Sequence, residues 1–244
     1  MQGKFVSMPM LANLVNHFMM LEEVVDVDKD YVLTLRWPDD SELIQMIKGF
    51  KLPKIKGLTL ECLGRCSEDD REIINELITH AIPDKLQYFC FNHAYNGWIK
   101  IEDFLDALLI ILPKVTEEVY ISTSTFDQHQ LESIFKAAHG CKRLAFNWCT
   151  VSDLNDDLDF NPELNYKISQ LCLVETLQKE RDEFINKAKF DVLIQAMLKV
   201  PSLKYQLNIV EVYNQQYARE EVQELLSGFD KITVVDSEFS PPMT

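Results

Sequence analysis

Glycine is scarce in this chain, 7 of 244 residues, and none is spaced as G-x-G-x-x-G or as a P-loop. Dinucleotide and triphosphate cradles need glycine so that backbone N–H groups can approach phosphate oxygens. Neither signature is present, and G-x-S-x-G and H-E-x-x-H are missing too. No apolar run approaches the ~18 residues that span a bilayer. The greasiest stretch, Leu108 to Leu112, follows Glu102, Asp103 and Asp106 closely and reads as a buried helix face. Basic residues are outnumbered, 24 Lys and Arg against 39 Asp and Glu, for a net charge of −15. Such a chain repels nucleic-acid backbones and anionic membranes and favours basic protein partners.

The start of the chain, Met1 to Asn16, has no basic region followed by a long apolar run, so no secretory signal is read there. Several of the six cysteines lie inside apolar segments, where a free thiol acts as a small hydrophobe. A reducing intracellular compartment, such as the cytoplasm, is expected.

Chemistry-bearing clusters are weak. Cys62 and Cys66 are four apart with no second ligand pair at zinc-like spacing. Asp153, Asn155 and Asp157 begin like an EF-hand loop, but Leu158 and Leu164 stand where glycine and glutamate are required, so a solvated acidic loop is expected. The five histidines fall in different elements. A Cys–His pair assembled only in space is invisible at this level. No catalytic residue, metal site or cofactor is assigned, and the chain reads as a non-enzyme.

What is present is recurrence. Eight short apolar segments lie mostly about 25 to 30 residues apart, the scale of a solenoid. They are Val32–Leu35, Leu58–Leu60, Phe89–Phe91, Val119–Ile121, Leu144–Phe146, Leu171–Leu173, Leu207–Ile209 and Ile232–Val234. Each alternates as a half-buried strand does. Helical stretches separate most of them. Ser67 with Asp70 resembles a capping box, Asp127 opens a helix, and Pro83 and Pro113 end helices. Gly140 and Gly228 stand where C-terminal caps are expected, and Pro201 is read as the end of a long helix over Lys179–Leu198.

Within each strand, apolar residues hold positions one and three, and a small or apolar residue often holds position six, as in Leu144, Phe146 and Cys149. This resembles the L-x-L-x-x-N/C signature of leucine-rich repeats, and the helix in each unit is most similar to the ribonuclease-inhibitor-like type. Only Cys149 conforms fully at position six; Pro38, Leu63, Ala94 and Val212 depart. The alternative is a flat, doubly wound α/β sheet, whose strands are usually longer and more continuously apolar.

The resemblance implies an α/β horseshoe, with parallel strands on the concave face and helices on the convex face. A helical cap over 1–30, a solenoid over 31–239 and a tail over 240–244 follow. It places the non-core strand residues on a binding wall: Tyr120 at position two; Glu61, Asn92, Ser122 and Asn147 at four; Trp37, His93, Trp148, Glu175 and Glu211 at five. The implied role is a protein-interaction or scaffold module, a structural subunit of a larger eukaryotic assembly. No helix follows Ile232–Val234 to close the last strand, so a partner chain or further repeats would cover that edge. Regulation of a small GTPase and substrate recruitment for ubiquitin ligation are the alternatives by analogy.

Overall fold

The computed structural model describes residues 4–5, 31–37, 39–48, 50–51, 55–62, 67–93, 99–151, 154–155, 157–174, 187–213 and 219–235. The first elements are β1 (Lys4–Phe5), β2 (Tyr31–Trp37), α1 (Ser41–Ile47), β3 (Phe50–Lys51), β4 (Ile55–Cys62) and α2 (Glu68–Glu76). The middle holds β5 (Leu86–His93), β6 (Ile99–Lys100), α3 (Leu105–Ile111), β7 (Val115–Ser122), β8 (Ser124–Phe126), α4 (Gln128–Ala137), β9 (Arg143–Asn147) and β10 (Thr150–Val151). Last come β11 (Gln170–Val174), α5 (Lys187–Leu198), α6 (Pro201–Gln206), β12 (Ile209–Tyr213), α7 (Arg219–Leu225) and β13 (Thr233–Val235).

Eight strands form one all-parallel sheet in the order β2-β4-β5-β7-β9-β11-β12-β13, which is also their order along the chain. The order never reverses, so the sheet has no switch point of the doubly wound kind. Right-handed crossovers, the rule for parallel strands, put successive helices on one face. Burial agrees. Leu33, Leu35, Leu58, Leu60, Phe89, Phe91, Val119, Ile121, Leu144, Phe146, Leu171 and Leu173 are buried, and they share a single apolar cluster with Leu43, Ile74, Leu108 and Ile134 of the helices. Phe146 lies at the centre of an aromatic stack, 5.6 Å from Phe126 and 5.9 Å from Phe135 between ring centroids.

A second, smaller parallel sheet orders β10-β8-β6, and β1 pairs with β3. The sequence pattern did not reveal either one, because strands of two or three residues carry no readable alternation. The passage from the main sheet to the second is made by Thr123 after β7 and Trp148 after β9. Both take positive φ, 51° and 55°. These are matching points of successive units, and both residues are bulky where glycine is the unstrained choice.

Two helix starts form as expected. Ser67 and Asp127 each accept from the N3 backbone N–H, and Asp70 and Gln130 close the capping boxes. Asp40 behaves differently: its carboxylate accepts from Arg36 N at 2.6 Å and makes no side-chain cap bond to α1. Neither Gly140 nor Gly228 forms a left-handed cap, since no described glycine has positive φ. Both end short 3₁₀ turns, and at Gly228 an added Cβ would meet Leu198 Cδ1 at 2.9 Å. The obstacle is the far end of a flexible leucine side chain, so a small shift of Leu198 would make room. Pro201 ends one helix but also opens α6, where a missing N–H at the first position costs nothing.

Between β10 and β11 the described chain has no helix. Leu158, Phe160, Tyr166 and Ile168 of that irregular segment are buried in the same core. Gln128 and Glu132 of α4 accept from Asn155 N and Asp159 N, and Ser202 of α6 accepts from Tyr166 N. The helix expected at Met8 to Val25, most of the 1–30 segment, the first half of the Lys179–Leu198 helix and the tail lie outside the described residues.

Candidate functional site

The sheet face away from the helices is the candidate site. Parallel pairing in register lines its side chains into rows across the strands. One row reads Thr34, Thr59, Cys90, Tyr120, Ala145, Cys172 and Glu211. The next, toward the C-terminal ends of the strands, begins Arg36, Glu61, Asn92, Ser122 and Asn147. A third, toward the N-terminal ends, includes Tyr88, Glu118, Arg143, Gln170 and Ile209.

Tyr120, Glu61, Asn92, Ser122 and Asn147 therefore stand where the repeat reading put them. Trp37 does not. It is 6% exposed and part of the core. β2 stays extended through Trp37 and pairs it with Cys62, so the alternation of Leu33 and Leu35 carries the indole inward. In β9 the left-handed turn at the matching residue breaks the alternation, and Trp148 is 40% exposed. His93 pairs with Cys62 through the backbone; its side chain lies outside what is described, as does Glu175 altogether.

Glu211 reaches the open face by another route. The expected β12 register put Leu207 and Ile209 in the core positions. The observed pairing is Leu171 with Val210 and Leu173 with Val212. A three-residue shift exchanges the two faces. Leu207 is still buried, beneath the strand entry, and its burial is what misled the sequence pattern. The shift places Glu211 beside Cys172 instead of at position five. In β13 the shift is two residues, Val210 opposite Val234, which keeps the faces unchanged.

The charges on this face are mostly paired. Arg143 bridges Glu118 and Glu211, at 3.1 Å to the latter. Gln170 Nε2–H also donates to Glu211. Arg36 Nε–H donates to Glu61 at 2.9 Å. Burial pushes the Glu211 carboxyl upward, but the Cys172 thiol, Arg143 and Gln170 outweigh it and hold the pKa below the usual carboxylate range. Burial likewise pulls the Arg143 pKa down, and Glu118 and Glu211 more than reverse it. Burial pushes the thiols of Cys90, Cys141, Cys149 and Cys172 up to about 12. They are protonated at neutral pH, not poised as nucleophiles.

A polar cluster occupies the C-terminal ends of β5, β7 and β9. Ser122 Oγ–H donates to Asn92 Oδ1, and Asn147 Nδ2–H donates to Tyr120 Oη at 2.6 Å. Asn147 is 6% exposed, and its Oδ1 is buried without a hydrogen-bond partner. The Cys149 thiol lies 3.4 Å from the carbonyls of Ile121, one unit back, and of Asn147. Sequence reasoning found Asn147 from its repeat position, but no sequence signal marks an unpaired buried acceptor.

Exposed carboxylates sit elsewhere: Glu68, Asp69 and Glu72 on α2, Asp106 on α3, and Glu220 and Glu224 on α7. Among the described residues no group of three or more His, Cys, Asp and Glu is placed to hold a metal ion, and no helix is long and apolar enough to cross a membrane. Comparisons with protein families, with curated proteins and with solved structures find no match. The class stated by the fold is an α/β protein built on one sequentially ordered, all-parallel sheet.

Proposed function

We propose that this chain is a leucine-rich-repeat-like solenoid that works as a non-enzymatic protein-interaction module, a subunit of a larger intracellular assembly. Three features support the solenoid. The strand order is sequential, the left-handed corner recurs in two successive units, and the Cys149 thiol bonds backbone of the preceding unit as a position-six side chain does. The observation that carries the functional reading is the helix-free face itself. The face carries in-register polar and aromatic side chains, and among the described residues no helix lies over it, the arrangement that repeat proteins use for recognition.

The preference for a basic partner rests on the net charge of −15, which steers cationic proteins toward the molecule from a distance. The wall carboxylates Glu61, Glu118 and Glu211 are already matched by arginines, so steering, not a row of unpaired acids, is the electrostatic contribution there. Nothing in the geometry favours a GTPase regulator or a ligase adaptor over this reading.

Crosslinking mass spectrometry on native extract tests it. Partner crosslinks should cluster at residues bordering the wall, such as Lys56 and the strand ends. Crosslinks confined to α2, α3 and α4 would transfer binding to the helical side and end the proposal.

A further inference from the structure

We propose that Trp148 and Asn147 together form an anchor for an arginine side chain of the protein partner. This rests on the reading of the helix-free face as the binding wall, and it names the chemistry of one point on it.

Two observations meet at these adjacent residues, and the charge of the whole chain supplies a third. Trp148 is a large aromatic, 40% exposed, held at φ 55° where an L side chain is strained. Glycine or asparagine would fit that corner better, yet the residue is a tryptophan that leaves two fifths of its surface open to a ligand. Asn147 is 6% exposed, and its Oδ1 has no donor. Its Nδ2 is already committed to Tyr120 Oη at 2.6 Å. The chain as a whole carries a net charge of −15.

Each observation narrows the ligand. The orphan oxygen calls for a group that donates. An exposed indole face calls for a planar or cationic group laid over it. The negative field favours a cation. The guanidinium of arginine meets all three: it is planar, always charged, offers five N–H donors and has no acceptor to leave unpaired. An ammonium is a compact, strongly hydrated point charge and gives up more on leaving water. A carboxylate or phosphate ligand would bring further acceptors to a point that already has one too many. Asn147 Oδ1 is sealed from solvent in the free chain, so the arriving group must displace its cover. An unsatisfied buried acceptor is the group that gains most from a new donor.

The test uses the full-length chain labelled with ¹⁵N and the peptide acetyl-Gly-Arg-Gly-amide, with lysine and citrulline versions as controls. The Trp148 indole N–H signal is assigned by its loss in Trp148→Asn, a change that suits a left-handed backbone and should keep the fold. The arginine peptide should shift the Trp148 indole and Asn147 amide signals saturably. The lysine and citrulline peptides should bind about tenfold more weakly or worse, and Trp148→Asn should lose about tenfold in affinity for the arginine peptide. Absence of a saturable shift at Trp148, equal binding of the lysine peptide, or unchanged affinity in a folded Trp148→Asn chain each overturns the anchor. Shifts confined to other wall residues overturn the anchor and leave the wall standing. Partner crosslinks confined to the helical side remove the wall itself.

Discussion

Two tryptophans occupy equivalent places on their strands and meet opposite fates, because the local backbone differs. Trp37 continues an extended strand into the core; Trp148 sits at a left-handed corner and faces solvent. Trp37→Ala removes a buried ring and should cost about 3–5 kcal/mol in urea unfolding. Trp148→Asn trades a strained residue for one that tolerates αL and gives up the covered part of the ring, so the two effects offset and stability should fall by no more than about 2 kcal/mol. A large loss at Trp148 would mean that the indole packs structurally. Glu211 provides the pH-dependent residue. Its folded pKa lies below the unfolded value, so its stabilisation is present above the unfolded value and fades as pH falls through the folded one. Glu211→Gln should cost about 1 kcal/mol at pH 7, and the gap to the parent chain should close in acid. A gap that persisted unchanged to low pH would count against the ionised carboxylate as its source.

At the scale of the element, local signals succeeded where the physics is local. Ser67 and Asp127 cap their helices because the bonding partners lie three residues away. Asp127→Ala should therefore cost about 1 kcal/mol, measurable by thermal or urea unfolding. Asp40 also precedes a helix, yet its carboxylate turns back to accept from Arg36 N. The same contrast holds for strands. Alternation alone predicts the register of β4, β7, β9 and β11, whereas the Leu86 to Phe91 stretch of β5 offers two frames and pairing with its neighbours selects the one with Phe89 and Phe91 inward. Alternation does not fix β12, since Leu207, Ile209, Val210 and Val212 offer apolar residues in both frames and only the pairing with β11 chooses between them. Of the eight wall residues whose side chains are described, Trp37 is the one that joins the apolar core, for want of any local sign of where the strand ends.

At the scale of the molecule, a single apolar cluster joins the sheet to every described helix that packs on it, so damage at its centre should be felt throughout. Phe146 is the sharpest probe. It stacks against Phe135, which lies 4.4 Å from Phe160 in the segment that replaces a helix, and it meets Phe126 of the second sheet edge-on. Phe146→Ala should destabilise the chain by about 3–5 kcal/mol and loosen both sheets together. Hydrogen exchange should show lost protection in β8 as well as β9; an effect confined to β9 would mean that the two sheets are not mechanically joined. Charge follows a similar division, with exposed acids concentrated on the helices and ion pairs on the open face. Salt should therefore slow association with a basic partner more than it weakens contacts already made on the wall.

Periodicity, caps and composition were enough to determine an alternating α/β chain, a strand-by-strand core and a sheet face left outside that core. These depend on contacts within a few residues and on which side chains avoid water. The tertiary structure alone decided the β12 frame, the burial of Trp37, the strained exposure of Trp148 and the orphan oxygen of Asn147. Each of those depends on what a neighbouring strand supplies, from 25 or more residues away along the chain, and no local pattern carries that information.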